Sequence, residues 1–158
     1  MEKYIQPFIE VCQHCFKEFV GAELRVGRPY IAGKDSINEW DISAVIGLTG
    51  EARGAVVISM KKDLVITLTD MLTNTVHKDI DEEVVDAIGE IVNIIAGNAK
   101  KGLEEAFRLV ISLPTIVQGK GHAIKWPNTQ ARIICIPFDV LEHAMFILSV
   151  AIEPVKGS

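Results

Sequence analysis

Residues 40–60 read WDISAVIGLTGEARGAVVISM, and this stretch decides the fold class. Two runs rich in β-branched residues, Trp40–Leu48 and Ala52–Met60, flank the turn formers Thr49-Gly50-Glu51. Two strand-like runs joined by so short a loop predict a β-hairpin, because parallel strands need a much longer connection. The centre of the chain therefore indicates an antiparallel sheet.

Before the hairpin, the sequence predicts one helix and one strand. Apolar side chains recur at helical spacing over Pro7–Phe19, and Gly21 then ends the helix. The segment Glu23–Ile31 has the composition of a first strand, and turn formers occupy Ala32–Asn38.

After the hairpin, two helices precede three more strands. The first helix covers Lys62–Leu72 and is broken at Asn74 and Thr75. A long helix follows at about Asp81–Ala106, with Asp79 and Asp81 supplying N-cap chemistry. The strand-like runs after it are Leu109–Leu113, Ala131–Phe138 and Ala144–Ile152, and an exposed loop is predicted at Gln118–Gln130.

The predicted element order is α-β-β-β-α-α-β-β-β. Because strands mostly follow one another directly, we predict an α+β fold with a mostly antiparallel sheet and the helices packed on one face. A doubly wound parallel fold is disfavoured. No low-complexity linker interrupts the 158 residues, so 1–158 is predicted to be a single domain.

Composition limits the possible partners and the compartment. The net charge of −5 disfavours nucleic acid and anionic membranes as partners, since both attract basic surfaces. No apolar run reaches the ~18 residues of a membrane span, and the N-terminus lacks the build of a secretory signal. Three cysteines are an odd number for a disulfide framework, so we expect a cytoplasmic protein.

The long helix carries the candidate site. Asp86, Glu90, Asn93 and Gly97 lie at i, i+4, i+7 and i+11, within roughly 60° of one another at ~100° per residue. They form what we call the polar stripe. The opposite side of the helix is apolar and is predicted to face the sheet: Val84, Ile88, Ile91, Ile95 and Ala99.

Two interpretations of the polar stripe remain open on composition alone. It is either the solvated face of an amphipathic helix or a functional surface. Asn93 is a poor residue for a helix interior, and each glycine there costs ~1 kcal/mol relative to alanine. Gly89 and Gly97 therefore suggest that another backbone approaches the helix closely.

Glu90 and Asn93 together suit one kind of chemistry. Glu90 can accept a proton or pair with a cation, whereas Asn93 offers a donor and an acceptor but does not titrate. This pair is poorly equipped for acid–base catalysis on an unactivated bond. It suits the orientation of a water molecule toward an activated electrophile such as an acyl phosphate held by a partner's own metal and lysine.

Two motifs in the chain match those of one known family. The first is Asp86-x-x-x-Glu90-x-x-Asn93, continuing as Gly97, with Pro114 after the next strand-like run. The second is Ile46-Gly47-Leu48-Thr49-Gly50 followed by Gly54-Ala55-Val56-Val57-Ile58-Ser59. With these motifs the sequence resembles the CheX/CheC family of chemotaxis phosphatases over most of its length. A single Glu-x-x-Asn helix is found, whereas CheC-type members carry two, so the likeness is greater to the CheX branch.

The resemblance implies a cytoplasmic hydrolase that dephosphorylates the aspartyl phosphate of a CheY-like response regulator. Asn93 would align the attacking water and Glu90 would contact the receiver's lysine, while Asp86 and Gly97 would contribute to partner binding. The chain would need no cofactor of its own and no metal, because Mg²⁺ would belong to the receiver. The family also implies a homodimer that joins sheets edge to edge.

The sequence also allows two other functions for this chain. The same stripe could serve a non-catalytic module that binds receivers, or the chain could be a purely structural dimer.

Three further sequence motifs favour structural roles. Cys12-Gln13-His14-Cys15 resembles a metal-ligand pair, but it lacks a second pair and lies on an apolar helix face, which favours core packing. Gly33-Lys34-Asp35-Ser36 departs from a phosphate-binding loop and is interpreted as a turn. Gly47, Gly50 and Gly54 are expected to serve turn geometry and close packing.

Overall fold

A computed structural model describes residues 2–32, 39–124, 126, 132–142 and 144–155. These residues include three α-helices, α1 (Glu2–Cys15), α2 (Lys62–Thr73) and α3 (Glu82–Leu103), and a π-helical turn, Phe16–Val20, continues α1. The strands are β1 (Arg25–Val26), β2 (Tyr30–Ile31), β3 (Ile42–Gly50), β4 (Ala52–Met60), β5 (Leu109–Ile111), β6 (Thr115–Gln118), β7 (Ile134–Val140) and β8 (Ala144–Pro154).

The eight strands in the described part of the chain belong to one antiparallel sheet. The strand order is β1-β7-β8-β4-β3-β5, with β2 also pairing with β7 and β6 also pairing with β3. The predicted hairpin is β3 and β4, in which Ile46 lies opposite Val56 and the strands are joined at Glu51. The predicted α+β class and antiparallel sheet are confirmed.

The helices lie on one face of the sheet, as predicted. Alternate residues of β3, including Ile42, Ala44 and Ile46, are fully buried in a core shared with the helices. From α3 this core receives Val84, Ile88 and further apolar residues of the predicted inner face. Each large aliphatic side chain buried in this way stabilises the fold by about 1.5–3 kcal/mol. This burial fixes which side of α3 faces outward.

The ends of the helices follow their local sequence signals. The Oδ1 of Asp81 accepts a hydrogen bond of 3.0 Å from the backbone N–H of Val84, so Asp81 is the N-cap of α3. Gly21 and Asn74 end their helices in the left-handed conformation, with φ of 76° and 54°. The prediction was wrong for Asp79, whose carboxylate lies 3.0 Å from the Nζ of Lys62 instead of capping α3.

Two prolines separate neighbouring edge strands. Glu23–Ile31 holds β1 and β2 instead of one strand, because Pro29 has no N–H to donate to a ladder, while the N–H of Gly27 donates to the Pro137 carbonyl over 2.8 Å. Pro114 likewise separates β5 from β6, a strand that the sequence did not predict. The element order is otherwise as predicted.

The predicted turn and loop segments are described only in part. The sequence Gly33-Lys34-Asp35-Ser36, within the predicted turn, lies outside the described residues. Of the predicted loop Gln118–Gln130, Gln118 belongs to β6, and His122, Ile124 and Trp126 are half-buried, so the exposed-loop prediction was wrong at those four positions.

Two hairpin glycines confirm the prediction of close packing. Gly50 has φ of +111°, and a Cβ there would lie 2.5 Å from the carbonyl oxygen of Arg108. Gly54 has φ of +157°, and a Cβ there would overlap the carbonyl oxygen of Ala151 on the neighbouring strand β8. Both positions exclude any side chain. Among the described residues, no helix is both long enough and apolar enough to cross a membrane.

Candidate functional site

The polar stripe lies on the outward face of α3. Asp86 and Glu90 are exposed, while Asn93 and Gly97 are half-buried. Side chains three or four residues apart on a helix have Cβ atoms about 5–6 Å apart, so Glu90 and Asn93 are immediate neighbours. The carboxylate and the amide can therefore reach one external molecule together.

No hydrogen bond or ion pair within the described part of the chain engages the side chains of Asp86, Glu90 or Asn93. Asn98, five residues further along the same helix, differs in this respect, because its Nδ2 donates to the Ile94 carbonyl over 2.9 Å. The amide of Asn93 thus keeps its donors and its acceptor available to a partner, whereas that of Asn98 is bound to its own helix.

The glycines of α3 do not meet a second backbone. A Cβ on Gly89 would lie 3.6 Å from side-chain carbons of Pro114 and Ile116, which is ordinary van der Waals contact. At Gly97 the nearest atom would be the Cδ1 of Ile111, at 4.0 Å. Within the described residues, therefore, no second backbone lies close to these glycines, because β5, β6 and their connection contact this helix through side chains.

An apolar groove runs beside the polar stripe. It has a volume of about 540 Å³ and lies between α3, the π-helical turn after α1 and the end of α2. Asp86 and Glu90 contribute to its α3 wall, so the groove and the stripe share these two residues. We call it the lateral groove; its apolar lining includes Phe16, Phe19, Val20, Leu72, Ile91 and Ile94. Sequence reasoning missed it, because its walls come from three separate segments.

A buried histidine joins α2 to the start of α3. The Nδ1 of His77 lies 2.7 Å from the Oδ1 of Asp70, and its Nε2 lies 2.5 Å from the Oε1 of Glu83. The hydrogen bond with Asp70 raises the pKa of His77, and the bond with Glu83 and the charge of Asp81 raise it further, against the lowering by burial. This cluster fixes the connection that precedes the polar stripe.

Ser43, on strand β3, lies next to His122. The Oγ of Ser43 is 2.7 Å from the Nε2 of His122 and 2.7 Å from the Oγ of Ser59, and the Nδ1 of His122 is 2.8 Å from the Gly119 carbonyl. Ser43 is fully buried in β3, so no substrate can reach its hydroxyl. This network attaches the turn after β6 to the sheet.

The cysteines pack in the protein interior. Cys12 and Cys15 are buried in the core, as the sequence predicted. Burial raises the pKa of Cys12 well above its usual value, and it raises the pKa of Cys15 to about 11. Both thiols are therefore protonated and unreactive at neutral pH. Among the described residues, no three His, Cys, Asp or Glu side chains are grouped to hold a metal ion.

Comparison with known proteins gives matches along most of the chain. The family model for the chemotaxis phosphatase CheX matches residues 42–139, which include the hairpin and all of α3. A curated relative, the CheY-P phosphatase CheX of Thermotoga maritima, is 27% identical over 153 residues, covering 96% of each chain.

Solved structures of similar fold include several CheX proteins. The chemotaxis protein CheX of Vibrio vulnificus is 30% identical, with a TM-score of 0.85 over 95% of this chain and 99% of that one. The CheX of a CheX–CheY–BeF3–Mg complex from Borrelia burgdorferi shares the fold, with a TM-score of 0.81 at 23% identity over 95% of this chain and 97% of that one. The match of the family model over more than half of the residues, supported by these relatives, shows that the chain belongs to the CheX family of chemotaxis phosphatases.

Proposed function

We propose that this phosphatase hydrolyses the aspartyl phosphate of a CheY-like response regulator, with Glu90 and Asn93 as its catalytic residues. The observation that supports the proposal most is the outward placement of these side chains as neighbours on α3, unengaged by the described part of the chain. A carboxylate and an amide held in this way by a rigid helix can enter the acidic pocket of another protein together.

The reaction needs little chemistry from this chain. A water oxygen attacks the phosphorus of the aspartyl phosphate, the bond between phosphorus and the aspartyl oxygen breaks, and the carboxylate leaves as inorganic phosphate forms. The Asn93 amide can accept a hydrogen bond from the water and donate one to a phosphoryl oxygen, which holds the water in line. Glu90 contacts the receiver's lysine and thereby fixes the orientation of α3 in the pocket.

In this proposal the receiver supplies the metal ion, and the other two residues of the polar stripe contribute to binding. The CheX protein of Borrelia burgdorferi has been crystallised with CheY, BeF3 and Mg²⁺. By analogy, Mg²⁺ in the receiver stabilises the charge of the leaving carboxylate, and this chain supplies no cofactor. Asp86 and Gly97, at the two ends of the stripe, take part in partner binding.

Cellular location and assembly are further parts of the proposal. A phosphatase acting on CheY-like receivers operates in the cytoplasm, and we place this chain there. We also propose a homodimer joined through sheet edges, which in the described structure are formed by β1 and β2 on one side and β5 and β6 on the other. Light scattering would test the dimer, since a particle mass equal to the 17.4 kDa chain would exclude it.

Substitution of Asn93 by alanine tests the catalytic assignment. We expect Asn93→Ala to retain its fold and to lower receiver dephosphorylation by at least about 100-fold, because the water loses its positioning group. The measurement is phosphate release from a phosphorylated CheY-like receiver with Mg²⁺, with and without each variant. Asn98→Ala is the matched control, because that amide is bound within its own helix.

The outcomes separate the proposal from its alternative. A rate for Asn93→Ala equal to that of the native chain would remove this residue from the mechanism. A native chain that binds the phosphorylated receiver without accelerating phosphate release would instead identify a non-catalytic binding module. That alternative has less support, because docking alone does not require an unengaged amide beside Glu90.

A further inference from the structure

The lateral groove adjoins the polar stripe but takes no part in the proposed water positioning. Asp86 and Glu90 contribute to its α3 wall, whereas Asn93 lies outside it. Across the groove stand Phe19, which is 58% exposed, and Leu72, which is 36% exposed. Large apolar side chains this exposed at the mouth of an apolar groove are typical of a protein-binding surface.

We propose that the receiver that docks on Glu90 and Asn93 also inserts an apolar side chain into the lateral groove, and that this contact selects the receiver. The inference rests on the proposed function, because it assigns a second contact to the same partner. Its occupant is a receiver segment in which an apolar residue stands next to a basic one.

Continuity of the surface supports this occupant. Glu90 belongs both to the polar stripe and to the groove wall, and Asp86 lies one helical turn before it. A protein that contacts Glu90 and Asn93 at the same time therefore lies next to the mouth of the groove. A side chain at the edge of the docked receiver can enter the groove from there.

The charge of the groove wall supports the same occupant. The α3 wall carries Glu83, Asp86 and Glu90, and the residues that line the groove include no lysine or arginine. Glu83 is already hydrogen-bonded to His77, but Asp86 and Glu90 are not engaged by the described part of the chain. An apolar floor with an acidic rim is complementary to an apolar side chain flanked by a cation.

Two substitutions test the groove without touching the catalytic pair. Phe19→Ala removes an exposed wall residue, and Ala87→Trp fills the groove from α3. We expect each to weaken the affinity for a beryllofluoride-activated CheY-like receiver about tenfold, which corresponds to about 1.4 kcal/mol. The KM for the phosphorylated receiver should rise equally, with kcat within twofold of native. Met145→Ala is the matched control, since Met145 is 44% exposed on β8, away from the groove.

The results distinguish failure of this inference from failure of the proposed function. Native affinity and KM in both Phe19→Ala and Ala87→Trp, with Asn93→Ala inactive, would overturn the groove assignment alone. An equal loss of affinity in Met145→Ala would overturn it too, because the effect would not be specific. A Phe19→Ala chain that changes its own oligomeric state while keeping receiver affinity would assign the groove to a second copy and refute the inference. Full activity in Asn93→Ala would contradict the proposed function itself.

Discussion

Gly97→Ala is expected to make the protein more stable while weakening its action on the receiver. Gly97 is half-buried within α3, and the nearest atom to an added Cβ is the Cδ1 of Ile111 at 4.0 Å, so the methyl group meets no clash. Alanine in a helix interior is favoured over glycine by about 0.8–1 kcal/mol, chiefly because the unfolded chain loses conformational freedom. We therefore expect a gain of about 0.5–1 kcal/mol.

Thermal unfolding followed by circular dichroism measures this gain. For a chain of 158 residues, 1 kcal/mol corresponds to a shift in Tm of about 2–4 °C, so Gly97→Ala should unfold about 1–4 °C higher. Gly102→Ala is the comparison within the same helix. A Cβ there would lie 3.1 Å from the Cβ of Pro7 in α1, so its gain should be smaller or absent.

The same variant tests whether the glycine serves docking. If the receiver approaches α3 closely at Gly97, the added methyl group should raise the KM for phosphorylated receiver several-fold. A lower Tm for Gly97→Ala than for the native chain would refute the conclusion that the added methyl group meets no clash. A higher Tm with an unchanged KM would keep the stability argument and remove Gly97 from the docking surface.

Two further predictions concern stability. Because the pKa of His77 is raised in the fold, protonated His77 stabilises the protein fully below the ordinary histidine pKa of about 6.5, and this contribution is lost as pH rises through the folded-state pKa. The Tm of the native chain should therefore fall more between pH 6 and pH 8 than that of His77→Gln, and parallel profiles would contradict this. Gly54→Ala should destabilise the fold by about 3 kcal/mol or more, since a Cβ there overlaps β8, and thermal unfolding should show a Tm lower by roughly 6–12 °C. A native Tm for Gly54→Ala would show that the strands do not approach so closely.

The elements that the sequence predicted well are those specified by local signals. The β3–β4 hairpin, the N-cap at Asp81 and the helix ends at Gly21 and Asn74 all depend on residues within a few positions of one another. Hydrophobic periodicity likewise identified the buried face of α3. The errors at Pro29 and Pro114 arose because short edge strands are defined by their partners more than by their own composition.

The candidate site was likewise predicted only in part. The spacing of Asp86, Glu90, Asn93 and Gly97 along one helix was sufficient to place them on one face, because helical geometry is regular. Their catalytic and binding roles stay predictions, as does the assignment of 1–158 to a single domain. The lateral groove and the contacts of His77 could not be predicted, since they join residues from separate segments.

By itself, the sequence determined the antiparallel class of the fold, the family and the outward polar stripe of α3, because each depends on local pattern or on motifs. Only the tertiary structure decided what lies beside that stripe. Packing of the π-helical turn and α2 against α3 creates the lateral groove, and packing of the strands beside α3 leaves room at Gly97. Such features depend on distances between segments that are far apart along the chain, and these distances are set by the packing of the whole core.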